Sequence, residues 1–178
     1  IEYIPIVTTL FSIYFLIVIY KHWEEKRTTY LLWWTLGVFT FGFGTATESI
    51  NALLGWSELN FRLWYISGAL LGGFPLAQGS VYLLMSERFA NRSAWAVLGI
   101  VAIASCCVML SPIHLPAGFN GTLAGKVLSW QWVRYFSPFI NLYAFIFLGG
   151  GAFYTAIHYA RESDKQKCFL GNIFIAIG

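Results

Sequence analysis

Glu48 is the first place to look for chemistry in this chain, because it sets a carboxylate inside a long apolar run. It precedes Leu54, the end of that run, by six residues, or about 9 Å at 1.5 Å of rise per helical residue. A carboxylate held that deep is costly, so it should face protein or water. Thr45, Thr47, Ser49 and Asn51 would supply a polar wall beside it. Arg62 and Arg134 fall at the same expected end of the helices and are its candidate ionic partners. Three roles suit such a group: a structural ion pair or neutral hydrogen-bonded acid, a proton or cation site, or an anchor for a ligand headgroup. Gln78 lies beside Pro75 in a later apolar run. The candidate ligand or ion residues are therefore Glu48, Asn51, Gln78, Arg62 and Arg134.

Other residue types offer less. His22 and His158 fall at the same end of two expected helices, and a facing histidine pair is a haem-ligand pattern. Both stand among charges at a rim, which argues for solvated histidines over haem. Cys106 and Cys107 are adjacent, and a vicinal pair bridges only with strain, so they read as small packing residues. With Cys168 they form no C-x-x-C pair, and no Cys/His spacing suits zinc. Gly42-Phe43-Gly44 lacks the rest of a dinucleotide fingerprint. The chain holds no G-x-S-x-G, no H-E-x-x-H and no Walker motif, so no catalytic or metal residue is assigned.

The elements that would position these residues follow from composition. Hydrophobic residues make up 58% of the 178 and charged residues 11%, against about 25% charged in a soluble domain. A soluble chain of this length has no core large enough to hide so much apolar surface. The 8 Trp and 10 Tyr favour a membrane–water boundary. No basic stripe of the kind nucleic acid requires is present. The expected fold is an all-α transmembrane bundle forming a single domain over residues 1–178.

Six apolar segments are expected, at about 3–20, 30–54, 62–85, 94–113, 138–159 and from 168 onward. The last, Cys168–Gly178, is half a span, since about 20 residues are needed to cross a bilayer. It is expected to continue past Gly178, for six or seven spans in the full protein. Loops 21–29, 86–93 and 160–167 carry eight of the Lys and Arg residues and the other connections three, which places those loops in the cytoplasm and the N-terminus outside. The 114–137 connection should then lie outside, with Leu123–Phe136 as a short helix in the headgroup region carrying Trp130, Trp132 and Tyr135.

Small residues should hold the helices together, because lipid offers little hydrophobic drive between them. Gly68, Gly72, Pro75 and Gly79 fall at steps of 4, 3 and 4, with Gly68 and Gly72 as a GxxxG pair. Pro75 should free the Leu71 carbonyl and kink the helix. Gly37, Thr40, Gly44, Thr47 and Asn51 line a face of the second segment, and Gly149, Gly150 and Gly151 relieve the fifth.

These features point to a non-catalytic membrane subunit or sensor module that packs against other subunits or copies of itself and holds a hydrophobic ligand. A transporter or channel using Glu48 is the first alternative. A lipid- or quinone-linked membrane enzyme or redox subunit is the second.

Overall fold

The computed structural model describes residues 3–115 and 118–160, the side chains of 158–160 excepted. Every regular element among them is helical, and the one β feature is an isolated bridge between Ile113 and Leu128. The expected segment from Cys168 and the loop 160–167 lie outside the described residues, apart from the backbone of Ala160.

Helix α1 (Ile4–Lys26) starts with a proline in its first turn, where the missing N–H costs nothing. It ends at Arg27, whose left-handed backbone (φ 50°) lets its N–H reach the Trp23 carbonyl at 2.7 Å. The Arg27 guanidinium then lies 4.8 Å over the Trp23 ring. Only Ser12 of α1 is buried; the helix is apolar on all sides and packs on α2. Helix α2 (Thr29–Leu54) stops at Gly55, whose φ of 84° a side chain would resist.

The expected third segment is not one continuous helix. Helix α3 (Glu58–Trp64) is capped by the Ser57 hydroxyl, which accepts from the Asn60 N–H at 3.3 Å. It runs on as π-helical turns over Tyr65–Leu70, then breaks at residues 71–73. Helix α4 (Phe74–Leu84) begins afresh with Pro75 in its first turn. Pro75 thus starts a helix where a kink was expected. Gly72 is not half of a GxxxG groove either: a Cβ there would lie 2.4 Å from the Gly68 carbonyl oxygen, so glycine permits the sharp break. Gly68 does serve packing, since a Cβ on Gly44 of α2 would come 3.4 Å from the Gly68 Cα.

Helices α2 and α4 meet through two glycines. A Cβ on Gly37 would lie 2.5 Å from Leu76, and one on Gly79 would lie 2.2 Å from the Trp34 ring. The Trp34 indole donates to the Leu76 carbonyl at 3.2 Å, a bond available only because the backbones are close. Helix α5 (Glu87–Leu110) begins well before the expected Ala94. It buries Ala90, Ala94, Val97, Val101, Ala104 and Val108, at alternating steps of four and three along one stripe. That stripe closes a core with Phe61, Tyr65, Leu70 and Phe74.

The connection after α5 departs most from expectation. Leu123–Phe136 is not a surface helix but two short 3-10 turns, Gly125–Val127 and Gln131–Tyr135. Val127, Leu128 and Val133 are fully buried in the core, which ties the segment down. Its backbone bonds back to the exit of α5, from the His114 N–H to the Val127 carbonyl and from the Ser129 N–H to the Pro112 carbonyl, both at 2.9 Å. Trp130, Trp132 and Tyr135 stay exposed. Helix α6 (Phe136–Ala144), a π-helical stretch Phe145–Gly149 and helix α7 (Gly150–Ala160) then follow one another without a gap. Of the three glycines in that rod, only Gly151 meets a neighbour, Leu84 of α4.

Among the described residues, three helices are long and apolar enough to cross a membrane: Ile4–Lys26, Glu87–Leu110 and Gln131–Ile157. Helix α2 is not among them, its hydropathy diluted by Gly, Thr, Trp and Glu48. The broken α3–α4 segment is not either.

Candidate functional site

The C-terminus of α2, the start of α3, the exit of α5 and the start of α6 gather at one end of the bundle. Contacts from Asn51 to Gly121 and from Arg62 to the α5 exit record this. Four of the five candidate residues lie at this end.

Glu48 is half-buried and accepts a hydrogen bond from the Trp64 indole N–H at 2.9 Å. Neither arginine is its partner. Arg62 is buried and turned to the end of α5. One of its terminal nitrogens donates to the Val108 carbonyl and, at 2.6 Å, to the Met109 carbonyl; the other reaches the Ser111 carbonyl at 3.0 Å. Its remaining donors hold Glu58, one turn back, at 2.6 and 3.1 Å. The last carbonyls of a helix lack intrahelical partners and carry partial negative charge, so a guanidinium there is well matched. Arg62 is thus a cap for another helix. The Glu58-x-x-x-Arg62 spacing could have suggested the local pair, but nothing in the sequence points to residues 108–111.

The polar wall around Glu48 is turned to joining helices. Thr47 is buried and its hydroxyl donates to the Gly44 carbonyl at 2.6 Å, while its own carbonyl accepts from the Asn60 side chain at 2.9 Å. Thr45 and Ser49 meet Thr9 of α1 at 3.1 and 3.2 Å. Asn51 donates to the Gly121 carbonyl at 3.1 Å. Its oxygen and the nearby Trp56 indole N–H are buried without a partner among the described residues.

Gln78 does not join this cluster. It is fully buried toward the other end, donating to the Ala90 carbonyl at 2.8 Å and accepting from the Tyr143 hydroxyl at 2.7 Å. One side chain so links α4, α5 and α6. Arg134 is exposed, donates to the Gln131 side chain at 2.9 Å, and lines a cleft of about 590 Å³ with Trp64 and Tyr65. Tyr65 and Trp64 were not singled out from sequence; as aromatics in an apolar run they carried no distinguishing signal.

His22 faces Glu25 of its own helix at 3.8 Å, and the side chain of His158 is outside the described residues. Among the described residues no three His, Cys, Asp or Glu side chains gather where a metal could be held. Compared with known proteins, the chain matches no family model, no curated protein and no solved structure.

Proposed function

We propose that the chain is a polytopic membrane protein with five spans among the described residues, the N-terminus outside, working as a non-catalytic helical-bundle subunit or sensor module. The observation that carries this reading is where the polar groups of the apolar segments spend their hydrogen bonds. Gln78 joins three helices, Asn60 joins α3 to α2, Arg62 closes the end of α5, and the Ser137 hydroxyl donates to the Ala69 carbonyl at 2.8 Å. These are bonds of a fixed scaffold; a conduit needs polar side chains facing a common passage. Helix α1 adds support for partners, because it packs on α2 and leaves apolar residues such as Leu10, Phe11 and Tyr14 exposed to lipid or another helix.

Transport through Glu48 is the second reading. It is favoured by one fact: Glu48 has a single hydrogen bond, from a neutral indole, and no ion pair among the described residues. Reconstituted vesicles separate the two. The module reading expects proton and cation flux no greater than in empty vesicles, for the native chain and for Glu48→Gln alike. Flux in the native chain that Glu48→Gln abolishes would replace it with the transport reading.

A further inference from the structure

The cleft beside Arg134 has the chemistry of an anion site with an apolar floor. Arg134 carries five N–H donors, and one hydrogen bond to Gln131 occupies it. Tyr65, across the cleft, is 4% exposed, so more than nine-tenths of it is buried. It nonetheless lines the cleft, and no hydrogen bond engages its hydroxyl among the described residues. The hydroxyl opens onto the cleft with no acceptor among the described residues, which leaves it free to donate to a ligand there. Arg134 lies within coulombic reach of it.

The space between them is kept by a glycine. A Cβ on Gly125 would stand 2.8 Å from the Tyr65 ring and 3.4 Å from the Arg134 Nε, filling the gap. Trp64, Ala69 and Pro138 form the apolar part of the lining, and no carboxylate contributes to it. Glu48 is not part of the lining; its carboxylate accepts from the indole of Trp64, which is. Tyr135, 70% exposed, joins the lining, and Trp132, 50% exposed, stands outside it; both are of the residue types that mark the headgroup level of a bilayer.

We propose that this cleft binds a phosphate-bearing anion, its oxygens held by the Arg134 guanidinium and the Tyr65 hydroxyl and its apolar portion lying against Trp64, Ala69 and Pro138. A planar guanidinium fork matches phosphate oxygens in pairs, and a neutral ligand would leave it unused. The site deepens the module reading by naming the class of ligand, and it rests on the membrane placement of that reading.

Native mass spectrometry of the delipidated full chain tests it, with three probes: phosphatidylglycerol, phosphatidylcholine of the same acyl chains, and inorganic phosphate. Phosphatidylglycerol should be retained about tenfold more tightly than phosphatidylcholine, the size of one charge-assisted hydrogen bond. Arg134→Gln should erase that preference, and Tyr65→Phe should cut it several-fold, with thermal melts of the lipid-free variants confirming that both are folded. Arg134→Lys should keep part of it. Displacement of the lipid by inorganic phosphate would assign a free phosphate as the ligand, and failure to displace it a lipid headgroup; both uphold the site. Equal retention of the two lipids without phosphate binding, or a preference that survives Arg134→Gln and Tyr65→Phe, overturns it. Either result leaves the vesicle flux measurement independent, so loss of this site and loss of the module reading are told apart.

Discussion

Replacing Arg62 by Met should destabilise the bundle through a helix to which Arg62 does not belong. The guanidinium is the shared donor for the carbonyls of Val108, Met109 and Ser111, and its side chain is 10% exposed. Methionine fills much of the volume but donates nothing. Each orphaned buried acceptor costs about 1–3 kcal/mol, and the low end suits a helix terminus that water partly reaches. Three acceptors give a loss of roughly 3 kcal/mol. Glu58 is left unpaired too, but its side chain is 56% exposed and water replaces the contact at little cost. For a chain of this size about 2–4 °C accompany each kcal/mol, so Tm should fall by roughly 6–12 °C. The assay is thermal denaturation in mild detergent, following the folded fraction by size-exclusion chromatography. Arg62→Lys should recover only part of the loss, because one ammonium does not span three carbonyls and a carboxylate. A Tm for Arg62→Met within about 2 °C of the native chain would refute the capping argument.

Gly79→Ala should cost about 1–3 kcal/mol by driving Trp34 off α4, whereas Gly99→Ala, where a Cβ meets nothing within 4 Å, should be neutral or stabilise by up to about 1 kcal/mol. Parallel melts check the pair, and equal losses at both sites would contradict the close α2–α4 approach. Gln78→Leu should cost about 1–3 kcal/mol by stranding the Tyr143 hydroxyl, while the Ala90 carbonyl keeps the Ser93 hydroxyl as a donor. Adding Tyr143→Phe should cost less in the Gln78→Leu background than in the native chain, and strict additivity in that double-mutant cycle would show the two side chains uncoupled.

Much of the architecture was legible because helix formation in an apolar chain is local. Helix α2 matches its expected segment almost to the residue, since Thr28 is extended at its start and Gly55 turns the chain at its end. The 62–85 segment departs from expectation in a physically instructive way. Pro75 and Gly72 are plain in the sequence, but whether a proline kinks a helix or opens a new one depends on what its neighbours pack against, and here Gly73 meets Ala144 of α6. The 123–136 segment departs because its amphipathic composition suits a membrane surface and a core equally well. The buried side chains of Val127, Leu128 and Val133 decided between them.

What the sequence by itself determined is the all-helical class and the small set of polar residues placed within apolar runs; of the six apolar segments expected, three helices among the described residues are long and apolar enough for a bilayer. What only the tertiary structure decided is the partner of each. Arg62 and Glu48 share an end of the bundle, yet Arg62 turns to the carbonyls of Val108, Met109 and Ser111 and Glu48 to the Trp64 indole. Arg134 meets Tyr65 across 69 positions of sequence. Sequence spacing governs which residues share a helix face, but hydrogen bonds between helices depend on how those faces cross, and that is settled by close packing at Gly37, Gly44 and Gly79.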